Sequence, residues 1–354
     1  MTVRLGVIGL GWWARFAHLP AIAASPELDL AAVCDTDPLR ASQAAGASGG
    51  VRAFTDPAEL FASGLVDGVV IATPHATHHA LARAALEAGI HVLVEKPMAT
   101  TAAQAWDLVA TADRAGAHLS VGYTGQYTAA AARVRAAVQE EIGELVCVNG
   151  DFSSAMMDLF TGTSSYGDPA LAAGGQGQAQ LTHLVGALIR ATGRRAEQVF
   201  AYMDNRSLPL DVVNALTLRL AGGCVGALTA TGTVPGGLPT RQRLRFYGTA
   251  GMVEHDIQYG TAAVHRPDGS QIRLAPDPSQ TAWARHAPVE AFGALVAGRG
   301  ENHAPGAEAA AAVAVIEAAY ESAETGGPVT IHPHPADRRR RPGRAHEAAC
   351  GEGT

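Results

Sequence analysis

Short apolar runs recur through the first third of the chain, separated by stretches with helical spacing. Arg4–Gly9 (RLGVIG) reads as a buried strand, Gly9–Ala14 as a tight turn, and the apolar stretch to about Ala24 as a helix. Leu28–Asp35, Asp67–Thr73, His91–Glu95 and Leu119–Gly122 repeat the strand signal, with alanine-rich helices over His79–Ala88 and Thr101–Ala115. Strands that are apolar throughout and alternate with helices predict a parallel sheet covered on both faces.

The rhythm changes near Tyr123. A helix is expected over about Ala129–Gln139, a strand over Glu144–Phe152, then a Gly/Ser/Asp-rich loop and a helix around Ala179–Ala191. Gln198–Met203, Asn214–Leu220, Val225–Thr231, Arg243–Tyr247 and Thr261–His265 alternate apolar and polar positions, as in an antiparallel sheet with one face on helices. A last helix, Ala307–Thr325, ends at Gly326-Gly327-Pro328. The expected fold is thus α/β: a doubly wound parallel sheet over residues 1–122, then an α+β domain over residues 123–335 with a large, mostly antiparallel open sheet. The tail 336–354, with Arg338–Arg341 and little apolar content, is expected to be disordered.

Composition narrows the classes of function. A chain of 354 residues suits two domains, and 47% apolar with 17% charged residues is the balance of a globular protein. No apolar run is long enough to span a bilayer, so no membrane association is expected. A balance of 26 basic against 33 acidic residues, net −7, is poorly suited to nucleic acid. Cys34, Cys147, Cys224 and Cys350 form no C-x-x-C pair and fit a reducing, cytoplasmic setting. The N-terminus resembles a signal peptide only superficially, because Arg15 and His18 interrupt its apolar stretch.

The chemistry begins at Gly9-Leu10-Gly11-Trp12-Trp13-Ala14, a G-x-G-x-x-A turn directly after a strand and opening a helix. Gly9 permits the turn, Gly11 lets a pyrophosphate approach the backbone, and Ala14 lets helix and strand pack closely. Asp35 ends the second strand, where a carboxylate accepts hydrogen bonds from a ribose diol and repels a 2′-phosphate. This favours NAD over NADP, although Arg40 stands close enough in sequence to meet such a phosphate. A methyl-donor site is the rival use of such a turn. Trp12 and Trp13 are expected against the nicotinamide end of the cofactor or in the domain interface.

The chain resembles the glucose-fructose oxidoreductase/inositol dehydrogenase/rhizopine-catabolism (Gfo/Idh/MocA) family from about Val3 to Ile331. The markers are the glycine turn, Ile71-Ala72-Thr73-Pro74 with His78, Glu95-Lys96-Pro97, Val121-Gly122-Tyr123, the helix carrying His183, Tyr247–Gly251 and Ala318–Val329. The resemblance implies an NAD-dependent dehydrogenase acting on a secondary hydroxyl or ketone of a sugar, cyclitol or glycoside. It implies a homo-oligomer, dimer or tetramer, often joined through the large sheet. Thr73, Pro74, His78 and Glu95 are expected to line the cofactor site, with a cis bond before Pro97. Lys96 is expected to be catalytic, binding the reacting oxygen at the carboxyl end of a parallel strand. Tyr123 and Gln126 are placed as substrate contacts.

In the helix near His183, Leu181, Leu184, Val185, Leu188 and Ile189 form a core-facing stripe, and Gln176, Ala179, Gln180 and His183 share another side. A neutral imidazole there can take a hydroxyl proton. Many members of the family carry Asp where this chain has Ala179. Gln180 is a neutral stand-in beside His183, and Asp158 a candidate carboxylate from outside the helix. The alternatives to a dehydrogenase are an NAD-binding sensor that has lost its chemistry and a glycoside hydrolase that recycles bound NAD. An aminoglycoside-like step in natural-product assembly is a further expectation. His75, His78 and His79 lack an acidic or thiol partner nearby in sequence, so no metal site is expected.

Overall fold

The computed structural model describes residues 2–162, 164–274 and 284–335. Six parallel strands form the first sheet: β1 (Val3–Ile8), β2 (Leu28–Cys34), β3 (Arg52–Phe54), β4 (Gly68–Ile71), β5 (His91–Val94) and β6 (Leu119–Val121), in the order β3-β2-β1-β4-β5-β6. The order reverses between β1 and β4, and such a sheet binds ligands at the carboxyl ends of its strands there. The inner strands are apolar apart from Arg4, Asp29 and His91 near their starts, because helices cover both faces, and Val69, Val70, Ile71, Val92 and Val94 are fully buried. β3 and the flanking helices Pro38–Ala47 and Pro57–Ala62 were not read from the sequence. Each of these helices carries Asp-Pro at its start, and Asp37 and Asp56 accept hydrogen bonds from the first-turn amides.

Nine strands form the second sheet. They are β7 (Leu145–Ser153), β8 (Ala196–Asp204), β9 (Val213–Leu220), β10 (Val225–Thr231), β11 (Arg241–Gly248), β12 (Gly251–Asp256), β13 (Thr261–His265), β14 (Gln271–Leu274) and β15 (Val329–Thr330). Their order is β14-β13-β12-β11-β7-β10-β9-β8-β15, antiparallel except for the β7–β10 pair. β9 and β10 alternate buried and exposed residues along their length. The buried face packs against the helices Ala129–Glu140, Thr182–Thr192 and Gly306–Thr325 in one apolar core that includes Val148, Leu184, Phe246 and Ile316. The expected residues Leu181, Leu184, Val185, Leu188 and Ile189 are all buried.

The expected division after residue 122 needs one correction. The helix Ala287–Val296 returns to the first sheet, where Phe292 packs on β4 against Gly68 and Val289 is buried with Leu5 and Val70. The start of Gly306–Thr325 joins that sheet's other core through Ala309, Ala310 and Val313. The chain therefore crosses back, and both cores share one long helix. The tail 336–354, expected to be disordered, lies outside the described residues; just before it His334 stacks on Trp106 with ring centroids 4.6 Å apart.

One buried carboxylate fixes the join between the second sheet and the helix that follows its glycine-rich loop. Asp211 accepts Gly175 N–H (2.7 Å) and the Tyr320 hydroxyl (2.6 Å) on one oxygen, and Gly177 N–H (2.8 Å) and the Asn214 amide (2.7 Å) on the other. The Asp211 carbonyl accepts Gln176 N–H at 2.8 Å. A side chain at Gly175 would place its Cβ 1.9 Å from that carbonyl oxygen, so only glycine fits. Replacing Asp211 by Ala strands four buried donors. It is expected to cost about 3 kcal/mol, read as a lowered urea midpoint. A loss below about 1 kcal/mol would show that water replaces the carboxylate.

Candidate active site

A cavity of about 1450 Å³ runs along the carboxyl ends of the first sheet and meets the second at the end of β7, the start of β11 and the turn after β12. That exceeds the roughly 300–1,000 Å³ of a pocket for one drug-sized ligand. Gly9, Gly11, Trp12, Trp13, Asp35, Thr73, Pro74, His78, Glu95 and Lys96 line one part, and Gln180 and His183 another.

The turn after β1 has the shape a dinucleotide requires. Gly9 has φ +86°, and a Cβ there would stand 2.7 Å from the Ala72 carbonyl. A Cβ at Gly11 would meet nothing within 4 Å, so the open space in front of this cavity-lining glycine is a cradle that a side chain would fill. Ala14 is fully buried in the core beneath and makes no part of the cavity wall. The Asp35 carboxylate accepts Leu10 N–H (2.8 Å) and Asp37 N–H (2.9 Å), which holds it beside the turn with lone pairs still open to the cavity. Arg40 bonds Asp37 at 3.0 Å and lies 3.6 Å from Asp35, so its charge is already shared between two carboxylates. These residues fit NAD: the turn would hold its pyrophosphate and Asp35 its ribose hydroxyls.

Glu95 ties the glycine turn to the end of β5. Its Oε1 accepts the Trp13 indole N–H at 2.7 Å and lies 3.1 Å from His18 Nε2. Burial pushes the Glu95 carboxyl up, but His18, the Lys96 ammonium and the Trp13 indole outweigh it and hold the group below the usual range. Trp13 is thereby fixed, while Trp12 is open to solvent and stacks on Phe16.

The Lys96–Pro97 bond is cis, and Lys96 Nζ crosses to the second domain to donate to the carbonyl of Ala179 at 2.8 Å. Ala179 lies in a wide π-helical turn, Gly177–Leu181, that opens directly into the helix Thr182–Thr192. Such turns free backbone groups and recur at functional sites. The Ala179 side chain points into a small apolar cluster with Met156, Phe160 and Val212. Its backbone, not its side chain, thus serves Lys96. His183 follows one turn later. Its ring meets Tyr123 at 5.7 Å and Phe152 at 6.3 Å between centroids, and no hydrogen bond to it occurs among the described residues. Burial, with Lys96 nearby, pushes its pKa well below the ordinary value, so the imidazole is neutral.

Several sequence expectations need correction here. Tyr123 and Gln126 do not line the cavity. The Tyr123 hydroxyl pairs with Thr182 Oγ1 at 2.9 Å, its ring meets His183 edge-on, and Gln126 is buried at the domain junction. Asp158 is exposed and outside the cavity lining, so it brings no carboxylate to His183. Gln180 lines the cavity, but its amide N–H points to Met156 Sδ at 3.1 Å rather than to His183. Gln176 and Ala179 are fully buried away from the lining. His78 has Nδ1 2.7 Å from the Pro97 carbonyl and Nε2 2.8 Å from the Thr73 carbonyl, and its one N–H ties this part of the cavity wall to the backbone. His75 pairs with the Ala172 carbonyl and His79 with Asp107, so the three histidines face separate protein partners. The sequence reading missed Ser154, Gln242 and the turn Ile257–Tyr259, which also line the cavity; strand alternation places Phe152 and Gln242 inward, but nothing local marks the rest.

A Rossmann turn with Lys96 from the first domain, and His183 from the second, opening on one cavity, fit a nicotinamide-dependent oxidoreductase. The chain belongs to the Gfo/Idh/MocA family: the oxidoreductase family with an NAD-binding Rossmann fold matches residues 3–123, and the GFO/IDH/MocA C-terminal domain matches residues 131–254. The uncharacterized oxidoreductase YdgJ of Escherichia coli (strain K12) is 39% identical over 120 residues, which span 34% of this chain and 34% of that protein's length. Inositol 2-dehydrogenase 1 of Saccharopolyspora erythraea is 29% identical over 94% of this chain and 97% of its own. The crystal structure of GenD2 from gentamicin A biosynthesis in complex with NAD superimposes with a TM-score of 0.78. It is 25% identical and covers 94% of this chain and 97% of its own. No helix among the described residues is long and apolar enough to cross a membrane.

The buried histidines make stability depend on pH. Burial pushes His75 down to about 3 and His255 down to about 4, and lowers His78 and His183 as well. Below about pH 6.5 the unfolded chain binds protons that the folded chain refuses, so stability falls as pH falls through the window down to the folded values. Each such histidine is expected to remove roughly 1 kcal/mol per pH unit below about 6.5. Urea unfolding between pH 7.5 and 5 measures the slope, which His255→Leu should make shallower. A stability independent of pH across that range would contradict this reading.

Proposed function

We propose that this protein is an NAD-dependent dehydrogenase that oxidises a secondary hydroxyl of a sugar, cyclitol or glycoside to a ketone, or runs the reverse reduction. It would work as a cytoplasmic homo-oligomer in the assembly of a glycosylated natural product. The observation that carries the reading is the convergence of Lys96 and His183, from separate domains, on the cavity that the Gly9–Gly11 turn opens. The kinship with a named inositol dehydrogenase and the likeness to GenD2 support the substrate class.

NAD, when bound, supplies the hydride acceptor. Lys96 would bind the reacting oxygen, with the Ala179 carbonyl aligning its ammonium. That cation stabilises negative charge as it develops on the oxygen. His183, neutral and edge-on to Tyr123, takes the hydroxyl proton, and the electron pair of the O–H bond completes the C=O bond as the C–H bond on the same carbon gives up its hydride. In the reverse direction the same nitrogen returns the proton.

Loss of the common Asp motivates the sensor reading, yet in this fold the Ala179 backbone already engages Lys96. The hydrolase reading shares this site and differs in releasing no net NADH. Absorbance at 340 nm with NAD and a panel of polyols, sugars and glycosides separates the three. NADH formation is expected, with Lys96→Ala and His183→Ala each lowering kcat/KM by about 10²–10⁴-fold while NAD still binds. NAD binding without turnover of any panel member would favour the sensor, and bond cleavage without net NADH the hydrolase.

A further inference from the structure

The wall that the second domain contributes to the cavity differs in kind from the first. Among its described residues, from Gly122 to Ala284, there is no Asp, Glu, Lys or Arg. The charges of the lining all come from the first domain. Asp35 and Arg40 stand together at the end of β2, Glu95 is engaged by Trp13 and His18, and Lys96 faces the reaction centre. The second wall instead offers neutral donors and acceptors, among them Ser154, Thr240, Gln242 and Gln258. Hydroxyl and amide groups of this kind both give and accept hydrogen bonds, as a polyol does.

Beside these polar groups lies apolar surface with nothing on it. Leu159 and Tyr259 are 41% and 54% exposed, among the large hydrophobic side chains that folding leaves in water, and both line this cavity. Phe152, Met156 and Ile257 add apolar side chains to the same lining. Exposed apolar side chains that line a cavity mark a ligand site.

We propose that this wall selects an uncharged hydroxylated ring carrying an apolar substituent, seated on Leu159 or on Tyr259, rather than a phosphorylated, carboxylated, nucleotide-linked or amino sugar. Among the described lining residues a phosphate would meet no second-domain cation and an ammonium no second-domain carboxylate, and a charge taken from water without a partner is strongly disfavoured. The proposal rests on the oxidoreductase reading and narrows it, and it turns away from the polycationic aminoglycosides expected from the sequence.

The full-length protein with NAD is assayed for NADH formation, and for ligand binding by saturation-transfer NMR. The probes are methyl and phenyl glycosides of the common hexoses, glucose 6-phosphate, glucuronate, glucosamine and UDP-glucose. Neutral glycosides are expected to bind, the phenyl forms about 10-fold better than the methyl forms. The charged compounds are expected to fall about 100-fold or more behind. Leu159→Ala and Tyr259→Ala change exposed side chains and should lower the use of phenyl glycosides by about 10-fold, toward the level of the methyl forms. Equal or better use of any charged compound, failure of every neutral glycoside to bind, or an undiminished phenyl advantage in both variants would overturn the proposal. Selective binding of neutral glycosides without NADH formation would overturn the redox reading and leave this one standing.

Discussion

The active site depends on where one carboxylate puts one loop. Asp211, between β8 and β9, gathers the amides of Gly175 and Gly177 and the side chains of Asn214 and Tyr320. That grip sets the start of the π-helical turn Gly177–Leu181. The turn in turn delivers the Ala179 carbonyl to Lys96 and His183 to the cavity. A charged acceptor with several donors is among the stronger fixed points a fold can build. Here it lies outside the cavity and acts by holding the backbone in place.

The site joins two environments that each sheet alone would lack. The first sheet offers the open ends of parallel strands, a glycine turn and the strand-end residues Glu95 and Lys96. The second offers a helix whose apolar stripe is buried and whose other side presents a histidine among aromatic rings. Burial and the Lys96 charge both disfavour the imidazolium, so His183 reaches the cavity as a base. No carboxylate counterbalances this among the described residues around the ring. The proton taken up in oxidation is therefore held against a cost, which suits a base that must also give it back.

Much of this was legible in the sequence. The all-apolar strands, the G-x-G-x-x-A turn with Asp35, and the apolar stripe from Leu181 to Ile189 each follow from local spacing, and each stands where the pattern puts it. Short pieces were not legible. β3 and β15 are too brief to show a period, and Ala287–Val296 packs back on the first sheet by a long-range contact that composition does not announce. The site was read well at its strand ends and less well across the domain junction. Tyr123, Gln126 and Asp158 have suitable chemistry, but their direction is set by tertiary packing. Asp211 reads as an ordinary turn residue because its partners lie 34, 36 and 109 positions away as well as 3. The side chain at position 179 suggested a missing function, whereas the relevant atom is a backbone oxygen that every residue carries.

The central claim is that a neutral His183, without a carboxylate partner, moves the proton while Lys96 holds the oxygen. The pH dependence of kcat/KM, compared between the wild type and His183→Asn, tests it most directly. The account predicts an acid limb with its midpoint well below 6.5, reflecting the lowered imidazole pKa, and the disappearance of that limb in the variant along with most of the activity. An acid limb that persists unchanged in His183→Asn would assign the proton to another group and contradict the account.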